Sequence, residues 1–242
     1  MLVTRPTAQS QDLCARIQAQ GGEAIAFPTI AIEPIVAAAS QKTYDWLIFV
    51  SANAVRHGLP LAARAEKTRI AAIGKATAAA LAAGDLRVDA LPSGNVTSES
   101  LLAHPAFANV ERQSVLIVKG MGGRELLHDA LTSRGAQVDS LEAYKRVPPL
   151  VDPIRIQELE QRWRDDGIDI VTLTSVETLD NLLAMLSEAG RALLKVAPFV
   201  TVSERVANAA RDRGLSGECI LSRGADDDAL IGAIAAWHAR AR

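Results

Sequence analysis

Six short stretches of this chain join an aliphatic run to a helical pattern, and each carries small hydroxyls, glycines or basic residues. They read TRP (4–6), VSANA (50–54), IGKAT (73–77), VKGMGGR (118–124), LTSVE (173–177) and VSER (202–205). The first turn of a helix leaves backbone N–H groups without partners, and the helix dipole is positive there, so such corners bind anions. As a set they make Arg5, Ser51, Ala52, Asn53, Gly74, Lys75, Thr77, Lys119, Gly123, Arg124, Ser175 and Ser203 candidate contacts for an anionic ligand. Any one of the serines can equally serve only as a helix cap. The remaining residue of interest is Tyr144, one of two tyrosines, in LEAYKRVPP (141–149). A phenol with an ordinary pKa of ~10 is a protonated donor at neutral pH. Tyr144 is therefore either a general acid or the polar end of a strand, and Lys145 and Arg146 beside it are expected to face solvent.

Other chemistries are poorly served. The glycines of KGMGGR follow a strand pattern and open a helical one, but position 125 is Glu, so G-x-G-x-x-G is incomplete; nor is there a G-x-x-x-x-G-K-[ST]. No histidine falls at a strand-end corner, which leaves no Ser/His/Asp arrangement, and the four histidines lack metal-ligand spacing. Asp226, Asp227 and Asp228 fit the negatively charged first turn of a helix.

Positioning these corners requires alternating strands and helices. Strand patterns occur at 1–4, 23–27, 45–50, 69–74, 88–91, 114–119, 137–144, 169–174, 198–202 and 218–222, with helical patterns such as KATAAALAA, GRELLHDALTSR and SVETLDNLLAMLSEA between them. Ser51, Thr97 or Ser98, Ser175, Ser203 and Asp226 stand where N-caps belong, and Gly21, Gly84, Gly135 and Gly214 where helices end. Alternation of this kind predicts βαβ units and parallel sheets. The composition agrees: of 242 residues 49% are hydrophobic but only 4% aromatic, as expected of aliphatic strands covered on both faces. A net charge of −2 with neither half strongly basic argues against nucleic acid as a partner, while leaving room for a local basic cleft. No leader pattern and no run of ~20 apolar residues is evident. With two distant cysteines, Cys14 and Cys219, expected as buried free thiols, this predicts a cytoplasmic protein that needs no membrane. No sustained exposed apolar stripe stands out, so a monomer is expected.

The chain also resembles itself. LVTRPTAQSQDLCARIQAQGGEAIAF pairs with VLIVKGMGGRELLHDALTSRGAQVDS, YDWLIFVSANAVRHGL with IDIVTLTSVETLDNLL, and RIAAIGKATAAALAAGDLRVDAL with PFVTVSERVANAARDRGLSGECIL. Three blocks in one order imply an internal duplication. EAIAFPTIAIEPI and QVDSLEAYKRVPP are extended, proline-ended and equivalently placed, so both are expected to connect domains. The expected architecture is α/β: two doubly wound, flavodoxin-like parallel-sheet domains joined by a two-strand ladder. One domain takes residues 1–33 plus 150–242 and the other 40–140, with connectors at 30–40 and 138–150 and a ligand cleft beside the hinge.

TRP, FP (27–28), YDWLIFVSANAV, AIGKATAAAL, VLIVKGMGGRELL, Gly135–Ala136, the Tyr144 segment and the Ser175 and VSER corners, in that order, make the chain resemble the uroporphyrinogen-III synthase family from residue 2 to 236. The resemblance implies a two-domain α/β lyase that takes hydroxymethylbilane, a linear tetrapyrrole with eight carboxylates. Such an enzyme eliminates the hydroxyl, inverts ring D and closes the macrocycle in haem biosynthesis, with no cofactor and no metal. It implies a transient contact with the preceding pathway enzyme. The family's tyrosine falls on Tyr144 and its cleft hydroxyls on Ser51, Thr77 and Ser175. The match is looser at Ser203, where other members carry Thr, and at Asn53, where some carry a basic residue. Two other readings compete: a two-lobed small-molecule-binding or sensor protein with a polycarboxylate ligand, and a nucleotide-binding Rossmann enzyme.

Overall fold

The computed structural model describes residues 1–36, 39, 41–93, 97–123, 125–224 and 226–241. In chain order the strands are β1 (Leu2–Val3), β2 (Ile25–Ala26), β3 (Ala31–Pro34), β4 (Trp46–Phe49), β5 (Arg69–Ala72), β6 (Ser114–Gly120), β7 (Gln137–Val147), β8 (Val171–Leu173), β9 (Phe199–Thr201) and β10 (Cys219–Leu221). The α-helices are α1 (Thr7–Ala19), α2 (Ala52–Gly58), α3 (Lys75–Ala82), α4 (Ser98–Leu102), α5 (Leu126–Ser133), α6 (Pro153–Arg164), α7 (Val176–Met185), α8 (Glu188–Val196), α9 (Glu204–Asp212) and α10 (Asp227–Ala241).

These elements form two compact units, Met1–Ala31 with Val147–Arg242, and Ile32–Arg146. The first unit holds a sheet of order β10-β9-β8-β1-β2 whose registered pairs are all parallel. Counted along the unit, that order is 2-1-3-4-5, the flavodoxin-like winding. Its core lies on both faces: Leu173, Leu179 and Phe199 pack on one, Val3, Leu13, Val200 and Leu230 on the other.

The second unit holds β3-β7-β6-β4-β5, parallel from β7 through β5. Its interior strand β4 explains the WLIF run, since Trp46, Leu47, Ile48 and Phe49 are all essentially buried. A strand covered on both faces has no polar side to alternate with. Leu47 and Phe49 pack with Val118 and Ala54 on the α2 face, while Trp46 and Ile48 pack with Leu101, Leu131 and Ile117 on the other. The glycine ending α2 is demanded by this packing: a Cβ on Gly58 would sit 2.2 Å from Val118 Cγ1 and 3.0 Å from Ala143 Cβ. Both proline-ended segments enter this sheet, where β3 and β7 are neighbours.

The expected caps act as such. Ser51, Thr97, Ser175, Ser203 and Asp226 each accept a first-turn N–H, from Ala54, Ser100, Thr178, Val206 and Ala229. Gly21, Gly135 and Gly214 adopt φ of 81°, 81° and 84°, but after α3 the left-handed residue is Asp85, φ 57°, rather than Gly84. Three further expectations change. VDAL contributes only an isolated bridge, Ala90 to Ala71. SVETLDNLLAMLSEA is two helices, because Leu186 turns extended (ψ 149°) and Ser187 caps α8 afresh. Cys14 and Cys219 are free thiols, yet Cys219 is only partly buried.

Candidate active site

The C-terminal ends of β4 and β6 open into a cavity of about 400 Å³ within the second unit. β4 delivers Ser51, the residue just before α2; β6 delivers Lys119 and Gly120; β7 delivers Ser140, Tyr144 and Arg146. Thr97, Ser98 and Glu99 from the start of α4, together with Glu125 and His128, complete the polar lining.

Tyr144 is placed by an irregularity in β7. Along the β6–β7 ladder Lys119 pairs with Glu142, but Gly120 pairs with Tyr144, so Ala143 is an extra residue. Successive strand residues face opposite ways. Leu141 and Ala143 face α2, and strict alternation would send Tyr144 to the other side of the sheet. The bulge instead brings Tyr144 into the same cluster as Ala143, Ala54 and Val55. Bulges re-aim side chains in this way, often beside active sites. The ring is 2% exposed. Its Oη lies 3.0 Å from Ser51 Oγ. Ser51 Oγ also accepts from the Ala54 N–H at 2.9 Å, so the cap that starts α2 also fixes the phenol's partner. His57 lies alongside, its ring 6.1 Å from that of Tyr144. Burial, reinforced by the Arg56 charge, holds the His57 imidazole below its ordinary 6.5, so it stands neutral at neutral pH.

The charges are balanced rather than uniformly basic. Lys119 is buried, 9% exposed, and its ammonium pairs with Glu125. Glu142 accepts from the Gly122 N–H at 3.0 Å. Gly122 and Gly123 occupy the left-handed region, φ 73° and 90°, and form the turn that presents the Gly122 N–H to Glu142. Lys145 pairs with Glu33 at 2.9 Å. Arg146 is exposed, as expected, and also lines the cavity two residues beyond Tyr144. Among the described residues no group of three or more His, Cys, Asp or Glu is placed to hold a metal ion, and no helix is long and apolar enough to cross a membrane.

Of the candidates named from the sequence, the cavity gathers Ser51, Lys119, Gly123 and Tyr144. Ala52 and Asn53 form the first turn of α2, and Gly74 and Lys75 begin α3 with no side-chain cap. Thr77, one turn into α3, is buried at 3% exposure. Arg124 lies outside the described residues. Arg5, Ser175 and Ser203 belong to the other unit. There Arg5 pairs with Asp227 and donates to Gln9 at 3.2 Å, while Ser175 and Ser203 cap α7 and α9. Ser140 and His128 line the cavity without having been named as candidates, whereas Gly120 belongs to the KGMGGR turn already noted in the sequence. Ser140 precedes the bulge and Arg146 follows it, so no single alternation pattern carries both; His128 had no local signal.

A hydrogen-bonded phenol and hydroxyl at the carboxyl ends of parallel strands, ringed by amides and basic groups, mark a doubly wound α/β protein suited to an anionic ligand. The model of the family described as "Uroporphyrinogen-III synthase HemD" matches residues 11–231. A uroporphyrinogen-III synthase of Salmonella typhimurium is 33% identical over 251 residues, covering 97% of this chain and 99% of that one; the Escherichia coli synthase is 32% identical over 249, with the same coverage. This chain belongs to the uroporphyrinogen-III synthase family. The solved structure from Helicobacter pylori superposes with a TM-score of 0.62 at 14% identity, over 89% of this chain and 93% of that one. One from Thermus thermophilus gives 0.56 at 20% identity, over 98% of each. Both share the α/β fold with parallel sheets.

Proposed function

We propose that this chain converts hydroxymethylbilane to uroporphyrinogen III, eliminating the bilane's hydroxyl as water, inverting ring D and closing the macrocycle. The family match over residues 11–231 carries the reading. An electron-rich pyrrole expels water once the leaving hydroxyl receives a proton, giving an azafulvene that proceeds through a spirocyclic pyrrolenine. We assign that proton to the Tyr144 O–H. Ser51 Oγ, already accepting from Ala54, has its own proton to give; donated to Tyr144 Oη, it leaves the phenol proton free for the substrate. The larger task is to hold a floppy chain so that the inverted carbon is the one attacked, which is orientation more than acid strength. Lys119, Arg146, Lys75 and the Gly123 N–H are the donors we assign to the substrate's carboxylates. Arg5, Ala52, Asn53, Gly74, Thr77, Arg124, Ser175 and Ser203 remain assignments of the same kind.

The finer architecture belongs to this proposal. The flavodoxin-like order of the first unit recurs in the second when β6, β7, β4, β5 and the Ala90 bridge are counted 1 to 5, which supports an internal duplication. The reading includes domains at 1–33 plus 150–242 and 40–140, a cytoplasmic setting and a transient partner in the preceding pathway enzyme. A two-lobed sensor gains no support from the comparisons. The decisive experiment supplies hydroxymethylbilane and separates the oxidised porphyrin isomers. Type III above the spontaneous type I background supports the reading, and type I alone contradicts it.

A further inference from the structure

We propose that Gly120 is a positioning residue for Tyr144: its missing side chain is the space in which the phenol lies. A Cβ built on Gly120 would fall 2.7 Å from Tyr144 Cζ, 2.9 Å from Cε2 and 3.1 Å from Oη. Real Cβ atoms do not approach a ring that closely. Backbone conformation does not explain the glycine. Gly122 and Gly123 occupy the left-handed region and have nothing near their Cβ positions, whereas Gly120 is not among the glycines of positive φ. The KGMGG stretch therefore divides by role: two glycines turn the chain and the first makes room.

The ring has little freedom to retreat. Gly120 is the β6 partner of Tyr144 across the bulge, and the Met121 N–H donates to the Tyr144 carbonyl at 2.7 Å. The hydroxyl is held by Ser51, itself held by the start of α2. On the flank, His57 stands beside the ring. A methyl group on Gly120 would have to be met by rotation of the phenol, and rotation carries Oη away from Ser51. A misplacement of about 1 Å in a reacting group can cost roughly 100-fold in rate.

This inference rests on the reading of Tyr144 as the proton donor, and its test separates the two. Turnover of hydroxymethylbilane is measured for wild type, Gly120→Ala, Tyr144→Phe and the double variant, with kcat and KM resolved and folding checked by thermal melting. We expect Gly120→Ala to lower kcat by about 10-fold or more with KM within about threefold. We expect the double variant to lie within about twofold of Tyr144→Phe, because a displaced ring without its hydroxyl has nothing further to lose. An active wild type beside a fully active Gly120→Ala variant overturns this proposal alone, as do losses that multiply in the double variant. A wild type that forms no type III isomer overturns the functional reading itself. If Gly120→Ala fails to fold, truncation of the ring in Gly120→Ala/Tyr144→Ala should restore the cooperative melt; failure to restore it places the collision elsewhere and overturns the proposal.

Discussion

Ser51 serves two masters: it caps α2 through the Ala54 N–H and meets Tyr144 Oη at 3.0 Å. Tyr144→Phe removes only the hydroxyl, so the fold should stand while kcat falls by about 10²-fold, the lower range for a positioned general acid. Steady-state turnover with circular dichroism as the folding control checks this, and a near-wild-type rate would leave Tyr144 a structural role. Ser51→Ala should cost about 1 kcal/mol of stability through the lost cap, visible as a lower melting temperature, with a smaller fall in turnover than Tyr144→Phe. At this scale the sequence was informative about residue type and poor about direction. LEAYKRV read with period 2 separates Tyr144 from Ala143. The pairing of Gly120 with Tyr144 across an extra residue reverses that, and nothing in the local sequence announces the bulge. Arg146, exposed as expected, reaches the cavity because it follows Tyr144 by two residues.

Among the elements, strands buried on both faces were the easiest to recognise. WLIF and SVLIVK are continuous apolar runs because no side of β4 or of the middle of β6 meets water. Helix α6 escaped notice because its sequence is mostly polar; its buried residues are only Leu159, Glu160 and Trp163. The break between α7 and α8 depends on a tertiary partner, since Glu160, 3% exposed, accepts from Ser187 Oγ at 2.6 Å and from its N–H at 2.8 Å. Two predictions belong here. Gly58→Ala should destabilise by about 1–3 kcal/mol, with partial recovery in the Gly58→Ala/Val118→Ala pair, measured by urea unfolding. The other concerns acid. The Ser114 N–H and hydroxyl, at 2.7 and 2.8 Å, hold the Asp45 carboxyl below its ordinary 3.8 and tie the start of β4 to that of β6. Lys42, then Tyr44, do the same for Asp139 on β7. A depressed folded pKa means that the unfolded state binds the proton first. This stability is therefore present above pH ~4 and is lost as pH falls through the folded value. Asp45→Asn should melt lower at neutral pH and lose less than wild type on acidification to about pH 3; equal losses would remove Asp45 from the account.

For the whole molecule, the sequence carried the parallel α/β character because βα alternation is a local property repeated many times. The chain passes between the two compact units at Ala31–Ile32 and at Arg146–Val147, within the two proline-ended segments, which also supply β3 and β7 to one sheet. Placing a site on side chains of this protein alone has a consequence for its chemistry: exhaustive treatment with a chelator, followed by desalting, should leave turnover within about twofold of untreated enzyme, the acid being a phenol held by a hydroxyl. A chelator-dependent loss restored by a metal would contradict that assignment. The central claim is tested most directly by incubating the protein with hydroxymethylbilane, oxidising the products and resolving the porphyrin isomers. The account predicts type III as the dominant product, in proportion to enzyme; type I at the rate of the enzyme-free control would contradict it.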